Sequence, residues 1–389
     1  MVSLVYKIAV IADIHWGAEP YQLMTKNLEL FLEFIRQADV DMVVIAGDYF
    51  DYRLQLNSPT AIASIAWFDH FYQTCKESNV KAIRVIKGTQ EHDNEQLEVF
   101  RTYEEEDNNY LRIYNTTNSD EPLPGLRCVY CPDETMNLRE YHMTYCDKFF
   151  PTPDIGFFHG NFDTILPSIE FDRIQDHNLK TMIYEYAKFS KLIKGPLISG
   201  HWHTAMSRES LYYVGSYDRW KFNEEEDKGF IYCEYDTESY RYYIHRIINP
   251  LAKKYDTIIV RDEDFKTPIQ FADLNDIIRK KLDSDDDLVL RIQYIITDEN
   301  PEAQLNFNAF TKKHLNNKRL KLDIKDVHKK QMKKEKREAT HFEADKYQYI
   351  FEKSMDIPHK VHQFILDKKG VDVPVEDIQN ILGKYLENV

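Results

Sequence analysis

The sequence has no long apolar run, no low-complexity tract, no internal repeat and no excess of positive charge. No apolar stretch approaches the ~20 residues of a membrane-spanning helix, so a helical membrane protein is not expected. The first residues do not have the layout of a secretory leader, and a cytoplasmic setting is expected. The 5 cysteines (Cys75, Cys128, Cys131, Cys146 and Cys233) are odd in number and scattered, which argues against a disulfide framework and for reduced thiols. Cys128-Val-Tyr-Cys131 has the spacing of a redox or zinc pair, but it lies in a strand-like run without a second pair, so structural cysteines are expected. The net charge of −15 gives no global basic field to attract nucleic acid. It leaves room for a local basic patch and for metal ions that offset clustered carboxylates.

What is present is an ordinary globular composition, 43% hydrophobic and 30% charged, in 389 residues, enough for two or three domains. Tyr6 to Ala12 reads as a buried strand, rich in β-branched residues and stopped by Asp13-Ile14-His15. Side chains two apart share a strand face, so Asp13 and His15 are expected on one side of the backbone. A helical period follows over Tyr21 to Ala38. Asp41 to Ala46 is a second strand, ending in Gly47-Asp48-Tyr49-Phe50-Asp51. Pro59 to Lys76 is a helix with proline in its first turn, and Lys81 to Ile86 is a third strand, ending in Gly88-Thr-Gln90-Glu91-His92-Asp93. This alternation argues an α/β domain with ligands at the carboxyl ends of its strands.

Further strands are expected at Leu111–Tyr114, Leu126–Cys131, Ile155–Phe158, Gly195–Ile198 and Leu211–Val214. Phe230–Glu234 and Tyr240–Ile248 read as a closing hairpin. The first domain is therefore expected to span 1–250. A small β-α-β-α-β module, 251–330, has strands at Thr257–Val260, Leu288–Ile296 and Leu320–Ile324 and helices at Phe271–Leu282 and Ala309–Leu315. The remainder, 331–389, carries the amphipathic stretches Val361–Leu366 and Val375–Leu386. Between Lys312 and Arg337 there are about 12 Lys or Arg against about 3 Asp or Glu.

The strand ends deliver Asp13, His15, Asp48, Gln90 or Glu91, His92, His159, His201 and His203. Carboxylate, imidazole and amide oxygen together suit Mn²⁺, Fe²⁺ or Zn²⁺. There are ligands for two ions, and one carboxylate must bridge ions that sit about 3.5–4 Å apart.

Asp13-x-His15, Gly47-Asp48-x-x-Asp51, Gly88…His92-Asp93, His159, Gly200-His201-x-His203 and Gly215-Ser216 resemble the calcineurin-like metallophosphoesterase superfamily. Within it the chain looks like an SbcD-type nuclease subunit of the double-strand-break repair and recombination branch, in a form common in bacteriophages. The resemblance implies an α/β fold: a β-sandwich flanked by helices, with a small α+β DNA-capping domain and a C-terminal helical pair that grips an SbcC-type coiled-coil ATPase. It implies a DNA exonuclease or endonuclease with two divalent metal ions, most often Mn²⁺, with Mg²⁺, Fe²⁺ or Zn²⁺ as alternatives. A homodimer through helices such as Pro59–Lys76 and a host-cytoplasm location for a phage-encoded form are also implied.

Carried across, Asp13, His15, Asp48 and His203 hold one ion, and Asp48 bridges to a second held by His159 and His201. The sequence departs from the family at Gly88–Asp93, which has two extra residues and no Asn. Gln90 offers the same amide and is preferred as the ligand, with Glu91 the alternative. His92 matches the catalytic histidine, and Asp51 and Asp93 are read as groups that orient the ligands and His92. A small-molecule phosphodiesterase or protein phosphatase would use the same site, and an accessory DNA-end or ATPase-binding subunit is a further alternative. The chain beyond the site and its basic stretch favour the nuclease.

Overall fold

The computed structural model describes residues 4–104, 109–133, 152–165, 183–222, 224, 226–261, 268–285, 288–296, 301–314, 317, 319–326, 356–369 and 372–379. In chain order the elements begin β1 (Val5–Ile11), α1 (Tyr21–Gln37), β2 (Met42–Ala46), α2 (Pro59–Glu77) and β3 (Ala82–Ile86). A 3-10 turn over Gln96–Tyr103 leads to β4 (Leu111–Tyr114), β5 (Asn118–Leu123), β6 (Leu126–Cys131), β7 (Ile155–His159), β8 (Asn161–Phe162) and β9 (Ile183–Tyr184). Then come α3 (Tyr186–Leu192), β10 (Leu197–Gly200), β11 (Met206–Arg208), β12 (Leu211–Tyr213), β13 (Gly229–Asp236) and β14 (Tyr242–Ile248). The last are β15 (Lys254–Arg261), α4 (Pro268–Ser284), β16 (Leu288–Ile296), α5 (Pro301–His314), β17 (Leu320–Asp326) and α6 (Ile357–Lys369).

Two six-stranded sheets, ordered β14-β13-β1-β2-β3-β4 and β11-β12-β10-β7-β6-β5, form a sandwich flanked by helices, as the sequence leads one to expect. Alternation along each strand divides the apolar side chains between two cores. Ile8, Val10, Val44 and Ile86 from one sheet meet Cys128, Tyr130, Phe157 and Ile198 from the other. The opposite face of the first sheet, with Ala9, Ile11, Val43, Ile45 and Val85, packs on Leu28, Phe31, Leu32 and Ile35 of α1 and Phe68 and Phe71 of α2. α1 buries this stripe at a spacing of three and four residues, and α2 starts with Pro59 behind Ser58, whose hydroxyl accepts from the Ala61 N–H at 3.2 Å. Cys128 and Cys131 are three apart in a strand and so face opposite cores, which prevents them from chelating one ion together.

β1, β2, β3 and β4 run parallel, as do β6, β7, β10 and β12, so the carboxyl ends of β1, β2, β3, β7 and β10 come to one edge of the sandwich. A chain of bonds ties the two sheets together near the β4–β5 connection. Arg84, fully buried, bonds to Asp120 through Nε at 2.8 Å, and Asp120 also accepts from Tyr114 and Tyr130.

A separate three-stranded sheet has the order β15-β16-β17. The chain divides into two compact units, Met1–Thr257 with Lys280–Arg291, and Ile258–Arg279 with Ile292–Val389. The second has its own aromatic core, in which Tyr294 stacks on Phe307 at 4.1 Å beside Phe271 and Phe310. Its strand–helix–strand–helix–strand order is that expected, but α5 starts at Pro301 and not near Ala309, because the proline begins the helix before its apolar residues recur. The basic run beyond Asp326 and the last stretch beyond Gln379 lie outside the described residues. Among the described residues no helix is long and apolar enough to cross a membrane.

Candidate metal centre

β1 stops at Ile11, and Asp13 and His15 sit in the loop beyond it in left-handed backbone, φ 52° and 54°. The strand alternation expected for Asp-x-His therefore does not bring these two side chains together. The loop itself does, by zipping onto the loop after β2. Asp13 N–H donates to Gly47 O at 3.1 Å, His15 N–H to Asp48 O at 3.0 Å and Trp16 N–H to Tyr49 O at 2.8 Å. Asp48 and His201 also have positive φ, at 49° and 87°. Non-glycine residues in this region cost about 1–3 kcal/mol each and persist where surrounding bonds over-determine them.

Two glycines make the convergence possible. Gly47 has φ +84°, and a Cβ there would lie 2.1 Å from His159 Nδ1. A Cβ on Gly88 would lie 2.1 Å from Asp48 Oδ1. The ligand loops approach each other at distances no side chain permits.

Among the described residues, the strand ends thus assemble three groups that could hold a metal ion: Asp13, His15 and His203; His15, Asp48 and His92; and Asp48, His159 and His201. Within each the donor atoms lie within 4.8 Å of one another. His15 Nε2 and His203 Nε2 face each other at 3.0 Å. Two imidazole nitrogens so placed share a proton or a cation between them. His201 Nδ1 is buried without a hydrogen-bond partner. His159 Nε2 lies 3.2 Å from Asp48 Oδ2 at ion-pair distance, yet outside hydrogen-bond geometry. Facing imidazole nitrogens, a buried orphan nitrogen and converging carboxylates are the donor set of a divalent-ion site, and the residues fit it.

The electrostatics point the same way. Burial alone would push Asp48 up, but the His159 imidazole beside it, with His15 and His92, holds its carboxyl well below the usual carboxylate range. Burial pushes Asp13 up, partly countered by His159 and His203. His159 is lowered by burial and raised more strongly by Asp48, ending at about 10, so in the metal-free chain it carries the positive charge of the cluster. Burial and that neighbouring charge bring His201 down to about 3, leaving it neutral and able to bind a metal.

The surrounding groups fix the rings. Asp51 Oδ1 lies 3.2 Å from His15 Nδ1, and the Asp51 backbone carbonyl accepts from His92 Nδ1. His92, 30% exposed, turns its Nε2 toward Asp48 Oδ2 at 4.0 Å. Asp93 accepts the backbone N–H groups of Phe50 at 3.0 Å and Gly88 at 2.6 Å, so its carboxylate clamps two ligand loops and is not hydrogen-bonded to the His92 ring. Burial, and then the Asp48 charge, raise its carboxyl to about 7. His159 Nδ1–H is held by Ala46 O at 2.8 Å.

Gln90 is not brought to the cluster. It is exposed, its Oε1 accepts from Lys87 Nζ at 2.9 Å, and its amide donates to Asn94 at 2.8 Å. Glu91 is exposed as well. The cause is the two-residue insertion itself. The N–H groups of His92 and Asp93 both bond to Thr89 O, closing a turn that puts positions 90 and 91 on its outside. Thr89 is the residue left beside Asp48, whose Oδ1 accepts its N–H at 2.7 Å and its hydroxyl at 3.0 Å.

Sequence reasoning also missed Glu224, whose Oε1 bonds His203 Nδ1 at 2.8 Å, and Lys228, fully buried with Nζ 3.2 Å from Glu224 Oε2 and 2.9 Å from His203 O. Burial pushes Glu224 up, but His203 and Lys228 bring its carboxyl down to about 2. Glu224 lies in the run Glu224-Glu225-Glu226-Asp227, where nothing in the sequence distinguishes one carboxylate from the next. Trp220 closes the same side by donating Nε1–H to Asp13 O at 3.1 Å.

No curated protein matches the sequence. Among solved structures, a dimetal phosphatase from Danio rerio is similar at 12% identity, covering 59% of this chain and 92% of that one, with a TM-score of 0.31. A sequence model described as calcineurin-like phosphoesterase matches residues 6–245, a span that holds every member of the cluster together with Glu224 and Lys228. By that match over most of its length, the chain belongs to the calcineurin-like phosphoesterase family.

Proposed function

We propose that this chain is a two-metal phosphodiesterase that cuts DNA, the nuclease subunit of a pair completed by an SbcC-type ATPase. The observation that carries the reading is the run of donor groups linked through His15 and then Asp48, from Asp13 and His203 at one end to His159 and His201 at the other, with the partly exposed His92 ring beside Asp48. Asp13, His15, Asp48 and His203 would hold one ion, and Asp48, His159 and His201 the other. When bound, the ions supply charge for the phosphoryl oxygens and acidify the attacking water, and Mn²⁺ is the ion proposed.

The chain's own groups do the rest. The Asp51 carbonyl fixes His92 through Nδ1 and leaves Nε2 to face a substrate phosphate. In its imidazolium form His92 donates that proton to the leaving oxygen. Asp93 keeps the loops after β2 and β3 in register, so His92 and Asp48 stay in the same place relative to each other. DNA is favoured over a small substrate by the chain beyond residue 257 and by the basic run from Lys312, both unnecessary for a small molecule. The terminal helical segments are proposed to bind the ATPase. The face of α2 that leaves Ile62 57% exposed is proposed to pair with a second copy.

The test is cleavage of end-labelled duplex DNA by the full chain with Mn²⁺ or Mg²⁺, with and without the ATPase. Metal-dependent cleavage that EDTA abolishes is expected. Hydrolysis of a plain phosphodiester without DNA cleavage would identify a small-molecule enzyme, and no hydrolysis at all an accessory subunit.

A further inference from the structure

The two halves of the centre are built from similar donors but are backed differently. In the half formed by Asp13, His15 and His203, both imidazoles have a carboxylate behind them. Asp51 Oδ1 is 3.2 Å from His15 Nδ1, at ion-pair distance but outside hydrogen-bond geometry, and Glu224 Oε1 hydrogen-bonds His203 Nδ1 at 2.8 Å, so the firm carboxylate backing is that of His203. Glu224 is itself held on its other oxygen by the Trp220 N–H at 3.0 Å and the buried Lys228 ammonium at 3.2 Å. Lys228 also grips His203 O and Glu226, so the ring and its carboxylate are anchored to one buried cation.

In the half formed by Asp48, His159 and His201 no carboxylate among the described residues plays this part. His159 is backed by the neutral carbonyl of Ala46 at 2.8 Å. The His201 ring makes no hydrogen bond among the described residues, and its Nδ1 is a buried orphan. Asp48 spends Oδ1 on Thr89, through the N–H and the hydroxyl, and keeps Oδ2 for the cluster. The one amide expected to complete this half, Gln90, is turned out to Lys87 and Asn94.

A carboxylate behind an imidazole fixes its tautomer, holds the ring plane and makes the free nitrogen a stronger donor, whereas a carbonyl fixes the ring without adding charge. We infer that the centre fills unequally, with a tightly held ion at Asp13–His15–His203 and a weakly held, exchangeable ion at Asp48–His159–His201, and that Glu224 is the positioning residue that sets the difference. The inference rests on the two-metal reading above and adds an order of loading to it. The weaker ion is the one that comes and goes under working conditions, so activity follows the free metal concentration long after the first ion is in place.

The test is titration of the metal-free full chain with Mn²⁺ by calorimetry. Two classes of site separated by at least about tenfold are expected. Glu224→Ala should weaken the tight class by about 10- to 100-fold and leave the weak class in place. Since Glu224→Ala leaves the buried Lys228 ammonium with one carboxylate fewer, held by Glu226, the double variant Glu224→Ala/Lys228→Met removes the ammonium as well, and the same loss is expected in it. His201→Ala should abolish the weak class alone. The ¹⁵N resonances of His203 supply a readout that a general loss of packing would not move. In the metal-free wild type the ring should carry its proton on Nδ1, and in the double variant it should sample both tautomers. A single class in the wild type, or a tight class untouched in both Glu224 variants, would overturn the inference. No ion bound by the wild type would overturn the two-metal reading itself.

Discussion

His92 and His203 are imidazoles at neighbouring strand ends, yet they are held by different partners and should fail differently. His203 is locked into the donor cluster by Glu224 and faces His15 Nε2 at 3.0 Å, whereas His92 is partly exposed with its ring fixed by a backbone carbonyl. Accordingly, His92→Ala should keep its bound metal and lose about 100-fold or more of its phosphodiesterase rate. His203→Ala should lose an ion as well. Metal content and turnover of the two purified variants decide it, and equal metal loss in both would refute the division of roles. A second consequence concerns protons. In the metal-free chain Asp48 keeps His159 charged up to about 10, and an incoming divalent ion must displace that proton. Mn²⁺ binding at neutral pH should therefore release protons, which calorimetry in buffers of different ionisation enthalpy will count. The folded-state pKa of His159 is raised above its ordinary value, so its contribution to metal-free stability is complete below about 6.5 and is lost as pH rises through about 10. At this scale the strand-end side chains were legible because a polar cluster after an apolar run marks a strand end. Thr89 and Glu224 were not, because only the fold says which of several adjacent polar residues turns inward.

The loops after the strands bear more of the site than the strands do. β1 and β2 end before their ligands, and the pairing of 13–16 with 47–49 carries the register onward through left-handed backbone. Gly47→Ala places a Cβ 2.1 Å from His159 Nδ1 at a positive φ, so it should destabilise the protein by about 1–3 kcal/mol or more and weaken metal binding at the same time. Ser58→Ala, which removes only the N-cap of α2, should cost about 0.5–2 kcal/mol and leave metal binding unchanged. Chemical denaturation and Mn²⁺ titration of both variants separate the two effects. Long β-branched runs such as 6–12 and 41–46 read clearly as strands, because burial on both faces leaves a continuous apolar signature. β5, Asn118-Ser-Asp-Glu-Pro-Leu123, did not, because it is a sheet-edge strand whose polar residues meet solvent.

At the scale of the whole molecule, the net charge of −15 opposes approach to a polyanion, so binding of the DNA proposed as substrate would have to come from local cationic surface and from ions held in the centre. Such binding should fall steeply with salt, with a slope of about −0.9 in log K against log salt for each phosphate neutralised. A flat profile would count against DNA as substrate. Deleting 355–389 is expected to spare Mn²⁺-dependent cleavage and to abolish co-purification with the ATPase, and retained co-purification would count against the assignment. One more property follows from the loops that close the centre. Trp202, between His201 and His203, donates its indole N–H to Asn161, and Trp220 donates to the backbone of Asp13 and packs edge-on against His15. Each half of the centre thus has a fluorophore beside it. Since paramagnetic Mn²⁺ quenches nearby indole emission and diamagnetic Zn²⁺ does not do so by that route, the intrinsic fluorescence of the protein is a built-in gauge of Mn²⁺ entering the centre.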